Sequence, residues 1–294
     1  FLEGELPNLG KLSREGSLGY IKVTTAATQT KPGWAEILTG YSAERLEITD
    51  NKNYKPIAEG YSVFERLKNF FGVNNIKTIF VGGKINNIGS RGPHEICINC
   101  ISRDVKTRKK TFWWDKRFIM TSATINNKPP LWVSREGEPY FNSKRNIDFH
   151  LTGLGPSENV GKEVLASLDK FYRKPFFAFF HFEEPDEQGH LYGENSPEYS
   201  KGLKIADYWL GMIVDKLKAI GIYDKTTIFV TSDHGFDEGS FEHGNAPGVF
   251  LVTNSRRKIG SGDRKDVTPT ILDEYGIDIK QISPPLDGAS LFHE

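Results

Sequence analysis

Apolar residues recur at helical spacing in GYSVFERLKNFFG, at Val63, Phe64, Leu67, Phe70 and Phe71, and the following KTIFVGG is a short unbroken apolar run. The first pattern predicts a helix closed by Gly72 and the second a buried strand. The same alternation returns after residue 155. ENVGKEVLASLDKFYRK reads as a helix, KPFFAFFHFEE as a buried strand, PEYSKGLKIADYWLGMIVDKLKAIG as a long amphipathic helix ending at Gly221, and TTIFVTSD as another strand. GVFLVT and DVTPTILDEYG add one more strand and helix. Continuous apolar strands separated by helices predict an α/β protein with a mostly parallel central sheet sandwiched by helices. Ahead of these, LPNLGKLSREG reads as a loop followed by a helical turn through Leu9 and Leu12. From Lys84 to Leu154 periodicity is weak and a Pro129-Pro130 pair intervenes, so this stretch reads as an inserted cap. The expected organisation is a catalytic core of residues 1–83 and 155–294 with a cap subdomain at 84–154.

Composition narrows the function classes. At 294 residues the chain has room for one or two domains, and 38 Lys plus Arg balance 38 Asp plus Glu. A net charge of zero argues against nucleic acid or anionic membrane held by bulk charge, so any anion must be met by a local site. A small-molecule partner is expected, with no stable nucleic acid partner. The longest apolar run, FFAFF, is five residues, against the ~20 needed to span a bilayer as a helix. Two cysteines cannot build a disulfide framework, and FLEGELPNLG carries neither a basic n-region nor an apolar h-region. Compartment stays open, because a cleaved or absent leader leaves the same text.

In open parallel sheets ligands bind beyond the carboxyl ends of strands, and those positions here carry metal-ligating residue types. EEPDEQGH places Asp186 and His190 four apart in a Pro/Gly-broken turn, TSDHG gives adjacent Asp233 and His234, and His243 follows in EHGNAPG. Two aspartates and three histidines suit zinc or a similar first-row ion better than calcium or magnesium. Five ligands exceed one tetrahedral ion, and two ions flanking a phosphoryl group would use them all. Any one of them alone reads equally as a helix cap or a solvated turn residue. In TKPGWAEILTGY, Thr30 stands at a helix N-terminus, where backbone N–H groups favour an anion; it reads as a nucleophile if the cluster activates it and as a plain N-cap otherwise.

TKPGWAEILTG, EEPDEQGH, TSDHG, the later HG, DVTPTILDEYGI and PPLDGASLF, in this order, resemble the alkaline phosphatase superfamily. Within it the chain is most similar to the type I phosphodiesterase and nucleotide pyrophosphatase branch and to related Thr-nucleophile phosphomonoesterases. The resemblance implies that Thr30 takes the phosphoryl group and that Asn51 steadies a non-bridging oxygen. It assigns Asp186, His190 and His243 to one metal, and Asp233, His234 and the Thr30 oxygen to the other. PNLGKLSREG matches the segment that precedes the nucleophile in the family. Family members start with a central strand ending in an Asp that completes the second metal site, and no residue from Phe1 to Gly16 fits that role. The expectation is therefore a core lacking its first strand, with unpaired edges and lowered stability.

Family sulfatases need a Cys or Ser at the nucleophile with an Arg nearby, whereas this chain has Thr30 and Trp34, so phosphate esters are favoured over sulfate esters. Lys84 in FVGGKINN resembles a substrate-binding, oxyanion-holding lysine of some relatives. The implied function is a two-metal, zinc-dependent phosphoric ester hydrolase acting through a phosphothreonine, a phosphodiesterase/nucleotide pyrophosphatase or phosphatase. A phosphotransferase and a metal-poor binding module remain alternatives. The resemblance also leans toward an extracytoplasmic setting. Features left outside this reading are the Cys97/Cys100 CxxC and a basic run from Arg103 to Arg117 around Trp113 and Trp114, which reads either as a polyanion grip or as a solvated cap face. His181 in FFAFFHF reads as a core histidine, and His94, His150 and His293 lie outside every motif.

Overall fold

The computed structural model describes residues 4–23, 28–99 and 129–293. The basic run with Trp113 and Trp114, and Cys100, lie outside them. In chain order the elements that position the site are α1 (Pro7–Glu15), β1 (Ser17–Lys22), α2 (Thr30–Thr39), α3 (Ala43–Leu46), α4 (Val63–Phe71), β2 (Lys77–Gly82), β3 (His94–Cys97), β4 (Trp132–Arg135) and β5 (Phe149–Leu151). They continue with α5 (Ser157–Phe171), β6 (Phe176–His181), α6 (Asp186–Tyr192), α7 (Pro197–Ala219), β7 (Phe229–Thr231), β8 (Gly248–Thr253), β9 (Gly262–Asp263) and α8 (Val267–Glu274).

Alternate residues of β2 show why the chain forms layers. Ile79 and Val81 bury against Val160, Val164 and Leu168 of α5 and Ile213 and Leu217 of α7. Phe80 points the other way, into a core with Leu38 of α2, Phe64 and Leu67 of α4 and Ile271 of α8. A strand apolar on both faces must be covered twice, and helices cover it on each side. Each such side chain removed from water contributes about 1.5–3 kcal/mol. β2 pairs in parallel with β5 and β6, Lys77 opposite Phe176 and Ile79 opposite Phe149. A second sheet runs β7-β8-β1-β9, with β1 antiparallel to β8 and parallel to β9.

Among the described residues β6 and β7 each lack a strand neighbour on one edge. Between them runs an apolar channel of about 1020 Å³, lined by Phe177, Phe179, Leu9, Leu210, Val230 and Phe250. Its lining extends to Lys84, Asp186, Asp233 and His234, so the interruption in the sheet opens onto the candidate site.

Local structure differs from the sequence pattern in four places. PNLGKLSRE is a full helix, not a loop and a turn, because Asp207 accepts from the backbone N–H groups of Asn8 and Leu9 and so caps its start. SLGYIK is a strand: only Gly19 and Ile21 face inward, too few apolar residues to mark it in the text. His94–Cys97 and Trp132–Arg135 form a two-stranded antiparallel sheet inside the expected cap. β5, at residues 149–151, joins the parallel sheet, and Tyr140 and Ile147 pack into its core. We therefore propose that any separate cap is limited to the part of 84–154 that precedes these residues. The fourth difference, at Asp186 and His190, belongs to the site.

Candidate metal and nucleophile site

Thr30 opens α2, preceded by Gln29 in extended conformation. Asn51 is tied to this helix start: its Oδ1 accepts from Lys31 N–H at 2.9 Å and its own N–H donates to the Gln29 side chain at 2.8 Å. Asn51 is thereby held beside Thr30, through the backbone of the next residue. Gly33 sets how closely the helix approaches, since a Cβ there would lie 2.7 Å from the Asp233 carbonyl oxygen and 2.8 Å from its Cβ. Arg264 fixes Asp233 from behind, donating to that carbonyl at 2.8 Å while pairing with Glu36 of α2 at 2.8 Å. Both partners of that pair are fully buried. Desolvation raises the Glu36 carboxyl even against the Arg264 charge.

Asp186 and His190 are not in a broken turn. They lie one turn apart on α6, so the same four-residue spacing puts both side chains on one helix face. The His190 Nε2 is 3.3 Å from Asp186 Oδ1 and 3.1 Å from His243 Nε2. One ligand atom from each of Asp186, His190 and His243 falls within 4.8 Å of the other two. His234 joins them: its ring stacks on His243 with centroids 3.9 Å apart, and its Nε2 is 3.3 Å from Asp233 Oδ2 and 4.0 Å from Asp186 Oδ1. The two aspartates and three histidines picked from sequence therefore share one pocket beside the first turn of α2.

The orientation of these groups is informative. His190 Nδ1–H donates to the Phe241 carbonyl at 2.8 Å, and His234 Nδ1–H donates to the Gly235 carbonyl at 3.1 Å. A carbonyl only accepts, so Nδ1 of each ring carries a proton and Nε2 is the atom turned toward the carboxylates. Asp233 Oδ2 and His234 Nε2 are buried with no hydrogen-bond partner. Carboxylate oxygens and imidazole Nε2 atoms converging in a buried space are the donor set of a divalent cation. Burial, with His234 adding to it, pushes His243 down to about 4, which keeps it a neutral ligand at ordinary pH. Desolvation acts to raise Asp186, but Lys84 and the histidines outweigh it and hold the carboxyl well below its usual range.

Lys84 follows β2 and is the bridge between the two halves. Its Nζ donates to Asp186 Oδ2 at 2.5 Å and lies 3.4 Å from Thr30 Oγ1. Desolvation acts to lower this buried ammonium, and Asp186 and Asp233 together raise it. It therefore stands beside Thr30 Oγ1 as a donor, not a base. His181 ends β6, buried against the Trp34 ring at 5.6 Å, and burial pushes it down to about 3. Three contributors were not visible in the sequence reading. Arg264 and Gly33 had no signal, since their partners are distant in the chain. Lys31 had a weak one, a lysine directly after Thr30. It is buried, with its amine over the Tyr54 ring at 4.4 Å and 3.4 Å from Asn87 Oδ1, and desolvation lowers it to about 7.

With this geometry in place, three kinds of similarity can be set beside it. A profile of the type I phosphodiesterase / nucleotide pyrophosphatase family matches residues 1–269. Ectonucleotide pyrophosphatase/phosphodiesterase family member 1 of Rattus norvegicus is 24% identical over 275 residues, covering 92% of this chain and 26% of its own length. The bis(5'-adenosyl)-triphosphatase of Pongo abelii is 42% identical over 252 residues, covering 80% of this chain and 44% of that protein. The chain thus spans about a quarter of the first relative and under half of the second. Among solved structures, a 2-O GAG sulfatase superposes with a TM-score of 0.61 at 11% identity, over 98% of this chain and 68% of the other. A protein solved with D-glucosamine-2-N,6-O-disulfate gives 0.58 at 14%, over 98% and 74%. These two share the fold.

Proposed function

The chain belongs to the type I phosphodiesterase / nucleotide pyrophosphatase family, and from that premise we propose that it is a phosphoric ester hydrolase that works through Thr30 and two divalent cations, zinc by the chemistry of its ligands. The observation that carries the reading is the inward convergence of Asp186, His190 and His243 beside the start of α2. Asp186, His190 and His243 would hold one cation, and Asp233, His234 and the Thr30 oxygen the other. Bound there, the cations would supply Lewis-acid polarisation of phosphoryl oxygens and lower the pKa of a hydroxyl or water.

The chain's own groups do the rest. Thr30 Oγ1, at the helix N-terminus, forms a bond to phosphorus as the ester oxygen departs in line, and its hydroxyl proton is released. Lys84, within 3.4 Å of that oxygen, steadies the charge developing on it. The Asn51 amide, its oxygen already committed to Lys31 N–H, offers its NH₂ to a non-bridging oxygen. Water then cleaves the phosphothreonine, giving phosphate product and the free hydroxyl. The substrate class is a small phosphate ester or nucleotide, and relatives named for ectonucleotide and venom activities support an extracytoplasmic setting. No helix among the described residues is long and apolar enough to cross a membrane.

The test is Thr30→Ala with metal analysis. Turnover of chromogenic phosphate esters should fall at least about a thousandfold, as for loss of a covalent nucleophile, with metal content near that of the native protein. Native-like turnover in that variant removes Thr30 from the mechanism; a native protein with no metal removes the two-cation reading.

A further inference from the structure

Arg264 is wholly buried, and its guanidinium serves two partners on different segments. Nη1 donates to the Asp233 carbonyl at 2.8 Å, and Nε lies 2.8 Å from Glu36 Oε2 of α2. Glu36 in turn accepts the Ala43 N–H of α3 at 3.0 Å, so its carboxylate is anchored at a second point. A Cβ on Gly33 would lie 3.0 Å from Arg264 Nη1, which places the guanidinium against the first turn of α2, beside Thr30. Thr268 of α8, a few residues further on, donates to the Ile37 carbonyl at 2.6 Å and closes the same seam. One side chain therefore ties α2, the segment after β7 and the entry to α8.

The atom that Arg264 leaves alone is as telling. It takes the main-chain oxygen of Asp233 and so orients the segment without occupying the carboxylate, whose Oδ2 is buried with no hydrogen-bond partner, 3.3 Å from His234 Nε2. A buried ion pair adds little net stability, since apolar residues of similar volume often serve as well. Directed donors that hold two segments at a fixed separation have no apolar substitute.

We propose that Arg264 is a positioning residue: through Glu36 and the Asp233 carbonyl it sets the separation of Thr30 from Asp233 and His234, and so completes one of the two cation sites. This rests on the two-cation reading above and assigns control of one site to a residue that is not a ligand. Thr30, Asp233 and His234 stand on the segments that Arg264 grips. Asp186 and His190 come from α6 and His243 from a later loop, so their site should not feel its loss.

Zinc titration of the metal-free full chain, followed by calorimetry, tests this apart from turnover. The native protein should take two zinc ions. Glu36→Gln/Arg264→Met removes both charges together and leaves an acceptor for the Ala43 N–H. It should bind one ion with near-native affinity and the other about ten- to a hundredfold more weakly, the size expected when a partner behind a ligand is lost. Arg264→Lys keeps a cation against Glu36 but lacks the planar fork that reaches both oxygens, so it should show the same selective loss. In both variants the metal-free protein should unfold close to the native temperature. Native-like binding of both ions by either variant, equal loss of both, or an unfolding temperature that falls in step with affinity overturns the positioning role and leaves the hydrolase reading standing. A native protein that binds fewer than two ions overturns the two-cation reading, and this one with it.

Discussion

Asp148 shows how one residue ties the fold together under the site. It sits just before β5 and accepts from Lys68 of α4 at 2.5 Å, from Lys77 of β2 at 2.7 Å and from Thr78 N–H at 2.9 Å. Desolvation acts to raise its carboxyl, but these hydrogen bonds outweigh it and bring the pKa to about 2, from an ordinary 3.8. A folded value below the unfolded one means stability that is present above pH 3.8 and lost as pH falls through 2. Asp148→Asn should cost roughly 2–4 kcal/mol at pH 7, because Lys68 is left buried beside a neutral amide, and close to nothing near pH 2. Urea unfolding of both proteins at the two pH values checks it. No local pattern marked Asp148, since its partners come from residues 68, 77 and 78.

At the scale of elements, the close approach of α2 to the segment after β7 is what turns separated motifs into a site. Gly33 permits it: a methyl group there would press on the carbonyl oxygen and Cβ of Asp233, which cannot yield as the far end of a flexible side chain would. Gly33→Ala should push Thr30 away from Asp233 and His234. On the proposed function, ester turnover is then expected to fall at least about a hundredfold, as for displacement of reacting groups by about an ångström, while metal binding by Asp186, His190 and His243 is expected to persist. Metal titration beside steady-state kinetics separates the two effects. α6 teaches a related lesson. PDEQGHLY looked like a broken turn because of its Pro and Gly, yet Pro185 stands before the first turn, where a missing N–H costs nothing. Gly189 is kept inside the helix because a Cβ there would meet the Phe236 ring at 2.6 Å.

For the whole molecule, a buried histidine outside the Asp186, His190 and His243 group gives an acid-sensitive term. His150 on β5 stacks on Phe80 with centroids 5.0 Å apart, and its Nε2 has no hydrogen-bond partner. Burial, with Lys144 adding to it, pushes it down to about 4 from 6.5. The unfolded chain binds a proton between those values and the folded one does not, so stability is full above pH 6.5 and falls as pH drops toward 4. At roughly 1.4 kcal/mol per unit this is about 3.5 kcal/mol. His150→Leu should flatten the pH dependence of unfolding between 6.5 and 4 relative to the native protein, measured by thermal melts at fixed buffer strength. An unchanged slope would show that His150 is protonated in the folded state.

The order of helices and buried strands from Val63 onward, and the residue types that gather at strand ends, are properties of the text itself. Hydrophobic period decides which local structure can bury its apolar face, and no partner need be known for that. Asp186, His190, Asp233, His234 and His243 stood out for the same reason, as metal-ligating residue types just after strands, and Thr30 as a hydroxyl at a helix start; that they gather is what the structure adds. Tertiary structure alone decided what those residues do to each other. The inward-turned Nε2 atoms of His190 and His234 depend on carbonyls of Phe241 and Gly235, and the Lys84 bridge to Thr30 spans 54 residues. The interrupted sheet between β6 and β7 is likewise a fact about which segments meet. A sequence states what each segment can form; burial, charge pairing and close approach are set only when segments distant in the chain pack together.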